Sequence, residues 1–147
     1  MKILFPLLLI LFSAPTAHSQ KINREEAEAF WVSTIYPIMD MDIPTALNNV
    51  NYPISTYLGN RTKEDFTGDY NDIFTPEILK ALGKSSIDDI QIVDYQSGEL
   101  TYMLVLMTVY KVEDDTDMEG SEMESATILS FKKFDGVWKL YNVDIAG

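Results

Sequence analysis

The sequence predicts an α+β domain in which N-terminal helices pack on one face of a mainly antiparallel sheet of four to five strands. Up to Gly83, apolar residues recur with helical spacing behind capping signatures, and from Ser86 onward they alternate with the period of two that strands have. Two turn signals, at residues 97–98 and at Asp135-Gly136, divide this second half into hairpins. Helices followed by a meander of strands are typical of the α+β class.

The first 19 residues have the pattern of a secretory signal peptide. Lys2 precedes an apolar run over residues 3–12, which is about half the length of a membrane-spanning helix. Ala17 and Ser19 occupy the two positions at which signal peptidase requires small side chains. We therefore expect residues 1–19 to be removed and residues 20–147 to form one domain, soluble in the periplasm or outside the cell and without a membrane anchor.

Composition excludes several kinds of chemistry. The chain has no cysteine, and its one histidine, His18, lies in the predicted signal, so thiol nucleophiles, disulfides, Cys/His zinc sites and Ser-His-Asp triads are excluded from the mature domain. The net charge of −12 becomes −13 when Lys2 is removed. Such a charge argues against nucleic acid and against anionic membrane surfaces as partners. We expect no cofactor.

The helices follow from local signals. Asn23 and Glu26 resemble a capping box, and Pro37 predicts a kink or break near Tyr36. The first helix has a buried face with helical spacing, formed by Ala27, Phe30, Trp31, Thr34, Ile35 and Ile38. Three more helices are predicted by their caps: residues 43–48 after Asp42, residues from Thr62 to about 73, and residues from Thr75-Pro76 to Gly83.

The strands follow from alternation. Residues 50–58 are extended, Pro53 restricts them to a sheet edge or a bulge, and Gly59-Asn60 is a predicted turn. Four further strands are predicted near residues 87–95, 99–112, 122–134 and 137–146. Lys132 and Lys133 are neighbours in a strand, so we expect them to point to opposite faces and to form no basic patch.

This pattern resembles the NTF2-like superfamily, a cystatin-like α+β fold, and in particular a group of exported, uncharacterised proteins within it. The resemblance covers the whole mature chain in element order. It rests on the aromatic first helix, the string Phe131-Lys-Lys-Phe-Asp-Gly-Val-Trp-Lys-Leu140, and the strings Tyr52-Pro-Ile54, Glu64-Asp-Phe66 and Tyr70-Asn-Asp-Ile-Phe-Thr75. It implies a curved sheet wrapped around helices as a cone with a pocket. Enzymes of the superfamily use an Asp-His pair or an Asp with a Tyr in the cone; since the mature chain has no His, no catalytic residue is carried over.

Two groups of residues are candidates for a site. The aromatic side chains that could line a pocket are Trp31, Tyr36, Tyr102, Tyr110, Trp138 and Tyr141, although aromatics with this spacing also form ordinary cores. Asp115, Asp117 and Glu119 match the first half of a calcium loop, but the second half of the motif is absent. A solvated hairpin tip over residues 113–124 is the better interpretation, and weak divalent-ion binding is the alternative.

Three functions remain open. The first is a non-enzymatic binding domain that holds a small apolar or amphipathic ligand, or a peptide, in the cone. The second is an acidic interaction module, of inhibitor or immunity type, that binds a basic protein partner. The third is an enzyme of isomerase or hydrolase type.

The strand at 99–112 bears on this choice. Both of its faces are apolar through the middle, with Val105 and Met107 on the face that the helices do not need. We expect this strand to be central and its second face to lie in a homodimer interface or a cavity.

Cleavage of the signal gives the first testable prediction. Protein isolated from its native host should begin at Gln20, because signal peptidase cleaves after the small residue at position 19. Intact-mass measurement checks this, and a mass that still includes residues 1–19 would contradict export.

Overall fold

The computed structural model describes residues 22–95, 98–111 and 122–147. Helices occupy the first half of the chain: α1 (Arg24–Phe30), a π-helical turn (Trp31–Ile35), α2 (Tyr36–Met39), α3 (Ile43–Asn48), α4 (Lys63–Ile73) and α5 (Pro76–Lys84). The strands are β1 (Val50–Thr56), β2 (Gly59–Arg61), β3 (Gln91–Tyr95), β4 (Glu99–Lys111), β5 (Glu122–Phe134) and β6 (Val137–Ala146). Within the described ranges, no helix has the length and apolar character needed to cross a bilayer.

One mixed sheet joins the six strands in the order β2-β1-β6-β5-β4-β3. All neighbours are antiparallel except β1 and β6, which run parallel. The helices pack against this curved, unclosed sheet, so the predicted α+β class is confirmed. The sheet has one strand more than the four to five predicted, because the short β2 adds an edge to β1.

The first helix continues past the predicted break. The N–H of Tyr36 donates to the carbonyl of Trp31, which is the wide hydrogen bond of a π-turn. Pro37 has no N–H for the carbonyl of Ser33, four residues earlier, and the side-chain amide of Asn49 donates to that carbonyl instead, at 2.7 Å. The proline is accommodated by a π-turn before Tyr36 and by a side-chain substitute for the missing N–H, and the helical course ends at Met39.

Side-chain caps begin the helices as predicted. Asn23, Thr62 and Thr75 each accept a hydrogen bond from the backbone N–H three residues later. Asp42 occupies the cap position of α3, but its side chain makes no capping hydrogen bond. α5 runs one residue beyond Gly83, to Lys84.

The segment around β1 differs from expectation in one place. Pro53 coincides with an irregularity in the β1–β6 pairing between Val50 and Ser55, as a proline in an interior strand requires. The predicted turn at Gly59-Asn60 is wrong, because the turn lies at residues 57–58 and Gly59 begins β2. The hydroxyl of Thr56 sets this position: it accepts from the N–H of Leu58 and donates to the carbonyl of Gly59.

β4 lies inside the sheet, as predicted, but it is not flanked along its whole length. β3 pairs only with Glu99–Met103 of β4, whereas β5 pairs from Tyr102 to Lys111. The inner face of β4 is buried at Tyr102, Leu104, Leu106 and Thr108. The outer face carries Val105, Met107 and Val109, whose side chains are 37%, 57% and 51% exposed.

An aromatic cluster holds α1 on the sheet. The ring of Phe30 lies edge-on to Tyr102, Phe131 and Trp138, with centroids 5.3, 5.0 and 5.6 Å away. These three rings come from β4, β5 and β6 in turn, so one helix side chain contacts three neighbouring strands. Edge-on aromatic pairs add to the stabilisation that burial alone provides.

The aromatic cluster predicts that truncating side chains at two nearby helix positions will have very different effects on the free energy of unfolding. Phe30→Ala should lower the free energy of unfolding by about 3–5 kcal/mol, because it empties the centre of the cluster. Val32→Ala, at a side chain that is 61% exposed, should change it by less than ~0.5 kcal/mol. Urea denaturation measures both, and equal losses would contradict the role given to Phe30.

Candidate functional site

The sheet divides at one end into two hairpins. The β4–β5 pairing stops at Tyr102 opposite Phe131. Beyond that point β4 pairs only with β3, through Leu100 and Glu99, while β5 pairs only with β6, through Lys132 and Lys133. We call this opening, between residues 99–101 of β4 and residues 132–134 of β5, the fork.

A β-bulge accompanies the division. In the β5–β6 ladder Ser130 lies opposite Asn142 and Phe131 lies opposite Leu140, so Tyr141 is an extra residue in β6. A bulge bends its strand and increases the local twist. The bulge lies opposite Ser130 and Phe131 of β5, at the point where the β4–β5 pairing ends.

A cavity of about 200 Å³ occupies the fork. It is lined by Glu26 of α1 and by five strand residues, namely Glu99, Leu100, Lys132, Lys133 and Trp138. The volume is well above what a single water needs and below that of pockets for drug-sized ligands, about 300–1,000 Å³. The cavity therefore has the size for a small molecule or for one end of a larger one.

Aromatic packing fixes the wall of this cavity. Trp138 is stacked on Tyr102 with centroids 3.9 Å apart and ring planes 19° apart. Phe30 contacts both rings edge-on, so the indole is held from two sides. Burial, with a smaller contribution from the charge of Glu26, raises the pKa of the Tyr102 hydroxyl and keeps it neutral.

Two ion pairs surround the cavity. Lys133 pairs with Glu26, and its ammonium lies 5.4 Å from the centre of the Trp138 ring. Lys132 pairs with Glu99 at 3.8 Å, and its ammonium lies 4.6 Å from the centre of the Tyr141 ring. The expectation that the two lysines form no common patch is wrong: the fork opens the sheet to both faces, so both line the same cavity.

Two hydrogen-bond donors near the fork are buried without a partner among the described residues. They are the indole N–H of Trp138, which lines the cavity, and the hydroxyl of Thr101, the residue after Leu100 in β4. Buried donors in proteins are nearly always paired, so an orphaned donor in a native structure calls for an explanation.

At one described position between the helices and the sheet, the side chains leave no usable space. A second cavity there is bounded by Thr34, Ile38, Ala46, Asn49, Val50, Tyr70, Phe74 and Leu140, and it has no space for a water molecule. Burial raises the pKa of Tyr70 to about 12, and its hydroxyl has no partner among the described residues. This part of the interior is core.

The six aromatic candidates do not converge on one place. Trp138 lines the fork cavity, Tyr102 lies stacked behind it, and Tyr141 lies at the bulge beneath Lys132. Trp31 is buried in the π-turn, whereas Tyr36 and Tyr110 are exposed. The metal candidates Asp115, Asp117 and Glu119 lie outside the described residues.

The charged residues of the fork were not selected from the sequence, although two signals were present. A two-residue turn at Asp135-Gly136 places Lys133 opposite Trp138 by counting outward along the hairpin. Glu26 lies four residues before Phe30 and therefore on the same helix face. Glu99 reaches the cavity only because β4 and β5 stop pairing before it, and no local sequence pattern indicates where that pairing ends.

Comparisons with known proteins find similar chains only among solved structures, and at low identity. Searches of protein families and of curated proteins find no match to the sequence. Among solved structures, the association domain of CaMKII from C. elegans is similar over 88% of this chain and 98% of its own, with 11% identity and a TM-score of 0.46. An NTF2-like protein of unknown function from Shewanella oneidensis is similar over 84% and 98%, with 13% identity and a TM-score of 0.43.

A third similar structure is an NTF2-like superfamily protein from Salmonella enterica, which covers 84% of this chain and 89% of its own, with 14% identity and a TM-score of 0.42. The described residues themselves form helices packed on a curved, unclosed mixed sheet, the arrangement that the resemblance to the NTF2-like superfamily implied. These similarities concern the fold alone, and no activity is taken from them.

Proposed function

We propose that this chain is an exported, non-catalytic binding domain that holds a small amphipathic ligand in the fork cavity. The observation that carries the proposal is the combination of a rigid indole wall with two ammonium and two carboxylate groups around about 200 Å³ of space. Ligand sites combine such apolar walls with a few polar groups that fix orientation. We place the ligand in the fork and not in the cone interior, because the cavity described in the interior has no space for a water molecule.

The proposal is non-catalytic because the titratable groups at the fork are all paired. Glu26 is held by Lys133 and Glu99 by Lys132, while Leu100 and Trp138 do not titrate. A general base or nucleophile needs an accessible group that is free to exchange its proton with a substrate.

The two tryptophans provide the test. Trp138 lines the cavity and Trp31 does not, so Trp31→Phe leaves one indole at the site and Trp138→Phe leaves one away from it. In the Trp31→Phe protein, the NMR signal of the remaining indole N–H should move on titration with at least one of 3-phenylpropanoate, 3-phenylpropanamide and 3-phenylpropylamine. These probes share one apolar body and differ in charge.

The Trp138→Phe protein is the matched control. Its remaining indole signal should stay in place throughout the same titrations. If none of the three probes moves the Trp138 signal at millimolar concentration, or if all shifts fall on Trp31, the ligand site is not the fork.

A second candidate function is favoured by the outer face of β4. Val105, Met107 and Val109 are exposed there, and they line neither cavity described above. Across the β4–β5 ladder, Val105 faces Ile128 and Met107 faces Ala126, which extends the apolar surface onto β5. We propose that a second copy of the chain covers this face, since contiguous apolar patches mark interaction surfaces.

Self-association through this face gives a prediction. Met107→Lys and Val105→Lys should each shift the chain to a monomer in light scattering, without lowering the unfolding midpoint, because both positions are exposed in one copy. High salt should favour the wild-type dimer, since it screens the repulsion between two strongly acidic chains. Val32→Lys, at an exposed position on the first helix, is the control. A wild type that is monomeric and tolerates both β4 changes refutes the interface.

A further inference from the structure

The lysines at the fork are unusual for so acidic a chain. The sequence has 23 Asp and Glu against 11 Lys and Arg, yet Lys132, Lys133 and Lys139 fall within one hairpin, and two of them line the same cavity. Glu99 and Glu26 balance the charges of Lys132 and Lys133, respectively. The two pairs are not equivalent, however, and the difference points to a ligand.

The Lys133–Glu26 pair is the firmer one. Glu26 lies on α1, which the Phe30 cluster holds in place, and its side chain is 33% exposed. Lys133 also lies over the Trp138 ring. This pair forms a fixed part of the cavity wall.

The Lys132–Glu99 pair is the looser one. Lys132 is only 27% exposed and lies over Tyr141, whereas the Glu99 side chain is 70% exposed and approaches no closer than 3.8 Å. An ion pair between a largely exposed carboxylate and a lysine contributes little to stability. Lys132 is thus a cation held in place by the bulge, with a carboxylate that can be displaced.

We infer that the ligand at the fork is a small organic acid whose carboxylate replaces Glu99 at Lys132. This inference rests on the proposed function and names its ligand class. Glu99 itself shows which chemical group fits at that position. A carboxylate within the cavity is less hydrated than the exposed Glu99, so its attraction to the ammonium is stronger.

The remaining groups at the fork fit the same class. The indole N–H of Trp138, a residue that lines the cavity, lacks an acceptor among the described residues, and an ionised carboxylate is an acceptor. Leu100 and the Trp138 ring provide apolar contact for the body of the acid. A doubly charged phosphate fits less well, because Glu26 remains at the cavity and repels it.

Titration calorimetry with the three phenylpropyl probes tests the inference. The wild-type protein should bind 3-phenylpropanoate more tightly than the amide or the amine. Lys132→Gln should weaken binding of the acid by about tenfold or more, because a hydrogen bond to a charged group is lost. Glu99→Gln should tighten it by roughly threefold, because the competing carboxylate is removed.

Two charge-matched variants are the controls. Lys80→Gln on α5 and Asp144→Asn on β6 change the net charge by the same amounts at positions outside the cavity lining, and each should alter the affinity less than twofold. Retention of the wild-type fold is checked by the Trp138 indole N–H signal.

The outcomes separate the two proposals. If the amide or the amine binds at Trp138 as tightly as the acid, or if Lys132→Gln binds the acid as the wild type does, the carboxylate assignment is overturned while the fork remains a ligand site. If no probe binds at Trp138, both proposals fail. Tighter binding of the acid to Glu99→Gln, together with its loss in Lys132→Gln, supports the exchange of carboxylates.

Discussion

The contact of Phe30 with three strands is the interaction on which the rest of the arrangement depends. It fixes α1 over the end of the sheet at which β4 and β5 separate, and it holds Trp138 against Tyr102. Because Glu26 lies one helical turn before Phe30, the same contact brings a carboxylate to Lys133. The core cluster and the candidate site are therefore two sides of one packing arrangement: its buried side stabilises the helix, and its open side forms a wall of the cavity.

The fork shows how a sheet can form a cavity without a loop. Paired strands share their backbone hydrogen bonds and leave no space between them, whereas strands that diverge leave a gap bordered by both faces. Here the extra residue at Tyr141 lies beside the point at which β4 and β5 cease to pair, and the short β3–β4 pairing continues on the other side. Lys132 and Lys133, which alternate across the sheet, meet at the cavity only because the sheet is open there.

Local signals predicted most of the helices and strands, but they did not predict the long-range register between strands. The bounds of α3, β5 and β6 agree with the predicted ranges, because Pro44 and the Asp135-Gly136 turn act on adjacent residues. At the π-turn, the hydrogen bond to the Ser33 carbonyl comes from Asn49, sixteen residues away. The parallel pairing of β1 with β6 likewise joins distant parts of the chain. The fork is of this second kind, since alternation in β4 and β5 is the same whether or not the strands remain paired. Aromatic residue type therefore led to Trp138 but not to the charged groups beside it.

The charge of the whole molecule and the charge of the fork act over different distances. A net charge of −12 repels an organic acid as it approaches, and salt screens this repulsion beyond about 10 Å at 0.1 M. The Lys132 side chain is only 27% exposed, so salt would screen its attraction for an acid within the cavity much less. In the proposed complex, approach and retention of the acid would depend on different groups: the surface carboxylates would control how often it arrives, and Lys132 with Trp138 would control how long it stays. An acidic protein can in this way hold an acidic ligand, provided that a few cations are placed where the ligand is out of water.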